Sequence, residues 1–159
     1  IIGKGRDKKR LLEITQKMNL EKRVHFLGAV SDVELLIALH GSDVFTMLCR
    51  DRWRGLEAEG FGIVFLEAQS CGLPVIVGDS GGSSESLIEG ESGYCIDPKS
   101  EIELVAKLKM LLGNDELRLS MGTKGRNFVE KNHSYDYLAA QLIPIVQSDF
   151  SCVKTISPK

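Results

Sequence analysis

The run EGFGIVFLEAQ, residues 59–69, constrains the fold of this chain more than any other segment. Gly60 and Gly62 flank an aromatic residue, so the main chain can turn sharply there, and neither glycine carries a Cβ that would keep a ligand from it. An apolar run then continues from Ile63 to Gly72, which is typical of a helix that ends at a glycine. The segment therefore predicts a tight turn that opens a helix.

The start of that helix predicts a site for an anionic ligand. The first N–H groups of a helix have no partner inside it and point into the turn, an arrangement that attracts phosphate above all. Glu67 lies just past the first helical turn, where its carboxylate can accept hydrogen bonds from vicinal ribose hydroxyls. Glu59 lies on the other side of the turn and faces the group that is attached to the phosphate. A nucleotide sugar has those parts in that order.

The two glutamates also have a simpler interpretation, and the residues alone leave it open. An acidic residue near a helix N-terminus is favoured by the helix dipole by roughly 0.3 to 1 kcal/mol. Paired glutamates around a buried helix are commonly a solvated rim. Their spacing therefore does not by itself separate a ligand site from an ordinary surface.

Short β-branched runs alternate with helical patterns, which is typical of an α/β fold with a parallel sheet and helices on both faces. A capping box at residues 31–34 predicts a helix through His40. A single domain is predicted over residues 1–147, with residues 148–159 as a frayed tail. The predicted strands are 24–27, 43–48, 75–77 and 94–96, and the other predicted helices lie near 11–18, 63–71, 102–112, 116–131 and 135–147.

Charge and cysteine content exclude several classes of protein. The 159 residues carry 20 basic and 22 acidic side chains, a net charge of -2, which offers no broad field for nucleic acid or an anionic membrane. No apolar run approaches the roughly 20 residues that cross a bilayer. The cysteines have no paired metal-ligand spacing and are interpreted as reduced thiols of a cytoplasmic protein. They are Cys49, Cys71, Cys95 and Cys152.

The chain resembles the retaining glycosyltransferases of family four, which have the GT-B architecture. The sequence of residues 54–57 and 59–76 is most similar to the phosphatidylinositol mannoside mannosyltransferase branch, whose donor is GDP-mannose, although related branches with other donors share most of these residues. The resemblance implies a Rossmann-like donor-binding domain, the C-terminal half of a GT-B enzyme without its first strand–helix unit. The landmarks, in chain order, are residues 2–5, 24–28, 42–45, 59–62, 67–68, 72–76, 81–85 and 90–93.

The resemblance also implies roles for particular residues around the glycine turn. Glu59 contacts hydroxyls of the transferred hexose, and Glu67 holds the ribose. The main chain that lines the sugar phosphate belongs to Phe61, Gly62, Ile63 and Val64.

Two other groups of residues match the family at lower specificity. Val30 and Asp32 face the base in the mannosyltransferase branch, where a carboxylate accepting from guanine N1–H and N2–H favours GDP over UDP. The competing role is structural, because Asp32 also complements the dipole of the helix that Ser31 caps. Loops that line the cleft are implied at Gly3, Gly5, Gly81 and Gly82, although Gly3 and Gly5 also fit a plain tight turn, and Ser84 replaces the proline that the family usually has.

The resemblance implies hexose transfer with retention, in which helix N–H groups stabilise the charge of the leaving diphosphate. No metal and no cofactor is expected. The family's diphosphate-binding Arg and Lys, and the N-terminal acceptor domain with its His, lie upstream of this chain in the family. A fragment that is inactive alone is therefore expected, with that domain and a lipid or saccharide acceptor as partners, at most peripheral at the inner face of the membrane.

Two alternatives to a transferase stay open at this point. The first is a non-catalytic nucleotide-binding or interaction module on the same fold, because fold alone does not define function. The second is a hydrolase or epimerase that uses Glu59 and Glu67 as paired carboxylates. His25, His40 and His133 are interpreted as packed or surface residues. The loop with Arg50, Arg52, Trp53 and Arg54 either meets the acceptor's phosphate or the other domain, or is simply an exposed loop.

Overall fold

The computed structural model describes residues 1–53 and 56–153, with side chains described up to residue 147. The chain divides into two compact units, Ile1–Ala38 and Leu39–Lys159, and each is described by itself. The prediction of a single domain over residues 1–147 stays a prediction.

The first unit contains α1, Lys8–Lys17, and the start of α2, Asp32–His40. The predicted strand at residues 24–27 is wrong, because no ladder of strand pairs forms there. Beside one isolated parallel bridge between Ile2 and Gly28, separate main-chain hydrogen bonds join the segment to Ile1: the Leu27 N–H donates to the Ile1 carbonyl oxygen at 2.9 Å, and the Ile1 amino group donates to the His25 carbonyl oxygen. Gly3, which follows Ile2 in the chain, has a φ of 119°, outside the range of an extended strand.

The capping box at the start of α2 is confirmed. The main-chain N–H of Ser31 donates to Glu34 Oε2 at 2.7 Å, and Ser31 Oγ accepts from the Glu34 N–H at 3.4 Å. This reciprocal pair satisfies donors at the helix start, and it leaves Asp32 as the first helical residue with an exposed side chain.

The second unit is built on a three-stranded parallel sheet with the order β1-β2-β3. Its strands are β1, Phe45–Met47, β2, Val75–Gly78, and β3, Gly93–Ile96. All four residues of the central strand β2 are buried, as expected for a parallel strand covered on both sides. The predicted strands at 43–48, 75–77 and 94–96 are therefore confirmed.

Helices flank this sheet. Ser100 caps the helix Glu101–Leu112 by accepting a hydrogen bond from the Glu103 N–H, and Asn114 caps the helix Asp115–Asn132 by accepting one from the Leu117 N–H. The last helix continues past the predicted end at residue 147, so residues 148–153 are helical, and residues 154–159 of the predicted tail lie outside the described residues. The helices are α3, Ile63–Ser70, α4, Glu101–Leu112, α5, Asp115–Asn132, α6, Tyr135–Val153, and a 3-10 helix, Ser83–Ser86.

One cluster of the core of the second unit is formed by the sheet and the helices α4 and α5, and the fully buried Phe65 and Ala68 of α3 also belong to the core. Leu111 and Met121 are buried against side chains of β2 and β3. The ammonium group of Lys107 lies 3.8 Å from the centre of the Tyr94 ring and covers its open face. The buried cluster comprises Ile76, Tyr94, Ile96, Leu111 and Met121.

Helix α5 packs on α3 through glycines. A Cβ on Gly122 would lie 1.9 Å from the carbonyl oxygen of Gly72, and one on Gly125 would lie 3.1 Å from the side chain of Gln69. This close approach fixes the C-terminal end of α3 against α5. None of the helices in the described part of the chain has the length and apolar character needed to span a membrane.

Replacing Gly122 with Ala is predicted to lower the free energy of unfolding by about 1 to 3 kcal/mol, because the new methyl group overlaps the main chain of Gly72. Chemical denaturation measures the change. The matched control is Ser120→Ala, at an exposed position of the same helix, for which a change within about 0.5 kcal/mol is expected. Equal stability of the two variants would contradict the close packing.

Candidate functional site

The predicted turn and helix start are confirmed at residues 60–63. Gly62 is the N-cap of α3 with a φ of 84°, and no side chain caps the helix. A Cβ at this position would lie 2.2 Å from the ring of Phe65, so glycine is required for space as well as for conformation. Among the described residues, nothing accepts a hydrogen bond from the N–H of Ile63 or Val64. The helix start therefore keeps free donors.

Aromatic packing holds the turn from the side of α5. The ring centre of Phe61 lies 5.4 Å from that of His133, which in turn lies 4.8 Å from Phe128. His133 is the residue that follows α5, and burial lowers its pKa. The Phe61 side chain is therefore occupied by packing, while its main chain remains part of the turn. His133 is a packed histidine, as the sequence indicated.

Three hydrogen bonds from two loops hold Glu59. The thiol of Cys49 donates to the carboxylate oxygen Oε2 at 3.2 Å. The N–H of Glu59 donates to Ser80 Oγ at 3.2 Å, and its carbonyl oxygen accepts from the N–H of Gly82 at 3.0 Å. Main chain and side chain of Glu59 are thus both fixed before any ligand arrives.

Ser80 joins the residues that follow β1 to the loop that follows β2. Its side chain is buried, and its hydroxyl donates to Asp51 Oδ1 at 2.6 Å. Its N–H donates to Ser83 Oγ at 3.1 Å, and the Ser83 hydroxyl donates to the carbonyl oxygen of Gly78 at 2.6 Å. The carboxyl ends of the two neighbouring strands therefore meet beside Glu59.

Sequence reasoning missed Cys49, Asp51 and Ser80. The available signal was positional: Cys49 and Asp51 follow one predicted strand, and Ser80 follows the next. Polar residues after neighbouring parallel strands lie at the same edge of the sheet.

The loop with Gly81 and Gly82 packs directly on the turn. A Cβ on Gly81, which has a φ of 53°, would lie 2.0 Å from the carbonyl oxygen of Glu59, and one on Gly82 would lie 2.3 Å from that of Gly60. Both glycines are therefore required by contact with the protein's own main chain. The predicted approach of this loop to the sugar stays a prediction.

A cavity of about 430 Å³ opens beside Glu59, a volume within the usual range for small-molecule sites. Its wall carries two guanidinium groups, of Arg50 and Arg52, and two carboxylates, of Glu57 and Glu59, and Arg52 Nη1 lies 4.0 Å from Glu57 Oε2. Arg52 is fixed by an antiparallel main-chain bridge to Glu57, whereas Trp53 is 70% exposed and Arg54 lies outside the described residues. The lining residues are Leu48, Cys49, Arg50, Arg52, Glu57, Ala58, Glu59 and Pro98.

Glu67 lies on the exposed side of α3, one helical turn after Ile63, which is also exposed. Its carboxylate is therefore on the solvent side of the helix start and does not line the cavity beside Glu59. The predicted contact of Glu67 with ribose stays a prediction.

The remaining predicted site residues belong to the first unit. Gly3 and Gly5 line a separate cavity of about 260 Å³ within that unit. Val30 is half-buried and Asp32 is exposed. Their predicted roles near the cleft and the base stay predictions. Over residues 1–53 and 56–147, no three His, Cys, Asp or Glu side chains cluster so as to hold a metal ion.

The family of the chain follows from its sequence and agrees with this fold. Residues 1–128 match the family model described as Glycosyl transferases group 1, and the chain belongs to that family. The predicted family and the predicted α/β class, a parallel sheet flanked by helices, are confirmed.

Individual relatives and solved structures are similar to this chain over most of its length. A GDP-mannose-dependent alpha-(1-6)-phosphatidylinositol monomannoside mannosyltransferase of Mycobacterium tuberculosis is 35% identical over 149 residues, which is 94% of this chain and 39% of the relative. Sucrose-phosphate synthase from Thermosynechococcus elongatus superposes with a TM-score of 0.79 at 25% identity, covering 93% of this chain and 35% of that one. Anabaena HepE in complex with UDP and glucose superposes with a TM-score of 0.78 at 22% identity, covering 92% of this chain and 39% of that one. The chain thus spans about two fifths of the length of these proteins.

The packing of His133 predicts a pH-dependent stability. Burial lowers its pKa below the ordinary value of 6.5, so on acidification the unfolded chain binds this proton first. The stability that depends on a neutral His133 is present above pH 6.5 and is lost as the pH falls through the folded-state pKa.

Denaturation of His133→Phe and of the parent chain between about pH 7.5 and about pH 5.5 measures this effect. The variant should lose less stability over that range than the parent. His40→Gln, at an exposed position, serves as the control and should follow the parent. Parallel curves for His133→Phe and the parent would contradict the assignment.

Proposed function

We propose that this chain is the donor-binding domain of a retaining glycosyltransferase that moves mannose from GDP-mannose to a lipid or saccharide acceptor. The observation that carries the proposal is the start of α3, where the N–H groups of Ile63 and Val64 have no acceptor among the described residues and Glu59 is fixed on the adjoining turn. The 35% identity to a relative described as GDP-mannose-dependent supports the choice of donor.

The main chain of the turn binds the sugar phosphate in this proposal. Phe61, Gly62, Ile63 and Val64 offer N–H groups and, at the glycine, a surface without a side chain. The N-terminal end of α3 carries a partial positive charge, which favours the diphosphate and stabilises the charge that develops as it leaves. The Arg and Lys that the family resemblance places upstream add to this stabilisation.

The two glutamates bind the two sugars. Glu59, held on both sides of its main chain and at its carboxylate, orients the transferred hexose through the hydroxyls. Glu67, one turn into α3, accepts hydrogen bonds from the ribose hydroxyls. In the first unit, Val30 and Asp32 face the base, and Gly3 and Gly5 belong to a donor-binding loop. In the second unit, Gly81 and Gly82 belong to the loop beside the hexose.

The acceptor meets the wall of the cavity beside Glu59. Arg50 and Arg52 line this cavity together with Glu57 and Glu59. Arg52 lies 4.0 Å from Glu57, so Arg50 is the guanidinium that binds the phosphate of an acceptor next to the transferred hexose. The acceptor domain of the whole protein completes the cleft, and the chain alone is inactive. The protein is cytoplasmic and at most peripheral at the membrane, and it does not bind nucleic acid.

Isothermal titration calorimetry of this chain with GDP, UDP and ADP tests the donor. GDP is expected to bind most tightly, because a carboxylate at the base accepts from both guanine N–H groups. Equal affinity for the three nucleotides would overturn the base assignment, and no binding of any would overturn the donor site on this chain.

Glu67→Ala is predicted to weaken GDP binding by about 1 to 3 kcal/mol, because the ribose hydroxyls lose their acceptor. The same titration measures the loss. Glu116→Ala, which removes an exposed carboxylate at the start of α5, is the matched control and should leave the affinity unchanged. An unchanged affinity for Glu67→Ala would return this residue to an ordinary surface role.

Nucleotide binding is also predicted to be independent of divalent metal. GDP affinity should be the same with EDTA and with magnesium, since main-chain N–H groups carry the contact with the phosphates. A loss of affinity in EDTA would contradict the metal-free proposal. Mannose transfer by the whole protein separates the transferase from a non-catalytic module, which would bind GDP-mannose without consuming it.

A further inference from the structure

The carboxylate of Glu59 is held by a thiol that the known roles of the glycine turn do not include. Cys49 follows β1 at one side of the cavity, and its Sγ lies 3.2 Å from Glu59 Oε2. Both residues are half-buried, so the contact is formed at the wall of the cavity and not in open solvent. Among the described residues, nothing else bonds to this carboxylate.

The thiol is the donor in this contact at neutral pH. Burial, followed by the hydrogen bond to Glu59 and its negative charge, raises the pKa of Cys49 to about 12. The proton therefore stays on sulfur, and Oε2 accepts the hydrogen bond from the thiol. Oε1 is left for a ligand in the adjoining cavity.

Hydrogen bonds to the main chain of Glu59 fix its backbone, so the hydrogen bond from the Cys49 thiol sets the orientation of its side chain. The hydroxyl proton of Ser80 is committed to Asp51 at 2.6 Å, so Ser80 Oγ can only accept from the Glu59 N–H. The Gly82 N–H fixes the Glu59 carbonyl oxygen at 3.0 Å. Since the N–H and the carbonyl oxygen of Glu59 are both hydrogen-bonded, only its side chain can still rotate, and the hydrogen bond from Cys49 restricts this rotation.

We infer that Cys49 is a positioning residue for Glu59: its thiol holds one carboxylate oxygen so that the other meets the hydroxyls of the donor hexose. This inference rests on the proposed function. It assigns Cys49 to recognition of the sugar and not of the nucleotide, because Cys49 lies on the cavity beside Glu59, whereas Glu67 lies on the exposed side of α3.

The first test needs no ligand and checks the contact itself. Alkylation of Cys49 by iodoacetamide is followed at the peptide level by mass spectrometry in the parent chain and in Glu59→Gln. The variant removes the negative charge beside the thiol, so Cys49 should react faster. Cys71, half-buried at the end of α3, is the internal control and should keep its rate. Equal rates at Cys49 in the two chains would overturn the inference.

The second test separates the sugar from the nucleotide. GDP and GDP-mannose are titrated into the parent, Cys49→Ala, Cys49→Ser and, as the control, Cys71→Ser. Cys49→Ala should raise the Kd for GDP-mannose by about tenfold, the usual loss for a hydrogen bond to a charged group, and leave the Kd for GDP within about twofold. Cys49→Ser keeps a donor and should recover most of the loss. A merely structural role would weaken both ligands together and would not be rescued by serine.

The outcomes distinguish this inference from the proposed function. If the parent binds GDP-mannose and Cys49→Ala keeps the ratio of the two Kd values, the positioning role is overturned and the proposed function stands. If the parent binds neither ligand, the proposed function fails and the positioning role fails with it, whatever the alkylation rates. Selective loss of GDP-mannose binding with rescue by serine supports both.

Discussion

The arrangement of the site depends on two hydrogen bonds made by the main chain of Glu59. Its N–H donates to Ser80 and its carbonyl oxygen accepts from Gly82, so the turn before α3 is attached to the loop after β2. Gly81 must lack a side chain for this attachment, because a Cβ would lie 2.0 Å from the Glu59 carbonyl oxygen. The order of the parallel sheet, which places β1 next to β2, brings these loops to one edge.

The far end of α3 is fixed by a second close contact. Gly122 of α5 approaches the carbonyl oxygen of Gly72, where α3 ends, and His133 after α5 contacts Phe61 at the turn. One helix thus supports α3 at both ends. Because the helix start is held by packing and not by a side-chain cap, its N–H groups at Ile63 and Val64 remain available to a ligand.

Local chemistry explains what could be predicted from the sequence. The start of α3 at Ile63, its end before Gly72 and the capping box at 31–34 depend on residues close in the chain, and all three are confirmed. The strand predicted at 24–27 was wrong because a strand is defined by its pairing with a distant segment, which the local pattern does not contain, and here that pairing includes one isolated bridge and no ladder. Cys49 and Ser80 were missed because their contacts with Glu59 are not local in the chain. They lie 10 and 21 positions from Glu59 and are brought to it by the pairing of β1 with β2.

In the proposed function, the start of α3 binds the diphosphate of a nucleotide sugar, and Glu59 on the adjoining turn binds the hexose. Amide ¹H–¹⁵N NMR spectra of the chain titrated with GDP test it most directly, because they report each N–H separately. The Ile63 and Val64 signals are expected to move most on addition of GDP, and the Glu59 signal is expected to move further when GDP-mannose replaces GDP. GDP-induced shifts confined to other parts of the chain, with Ile63 and Val64 unchanged, would contradict it.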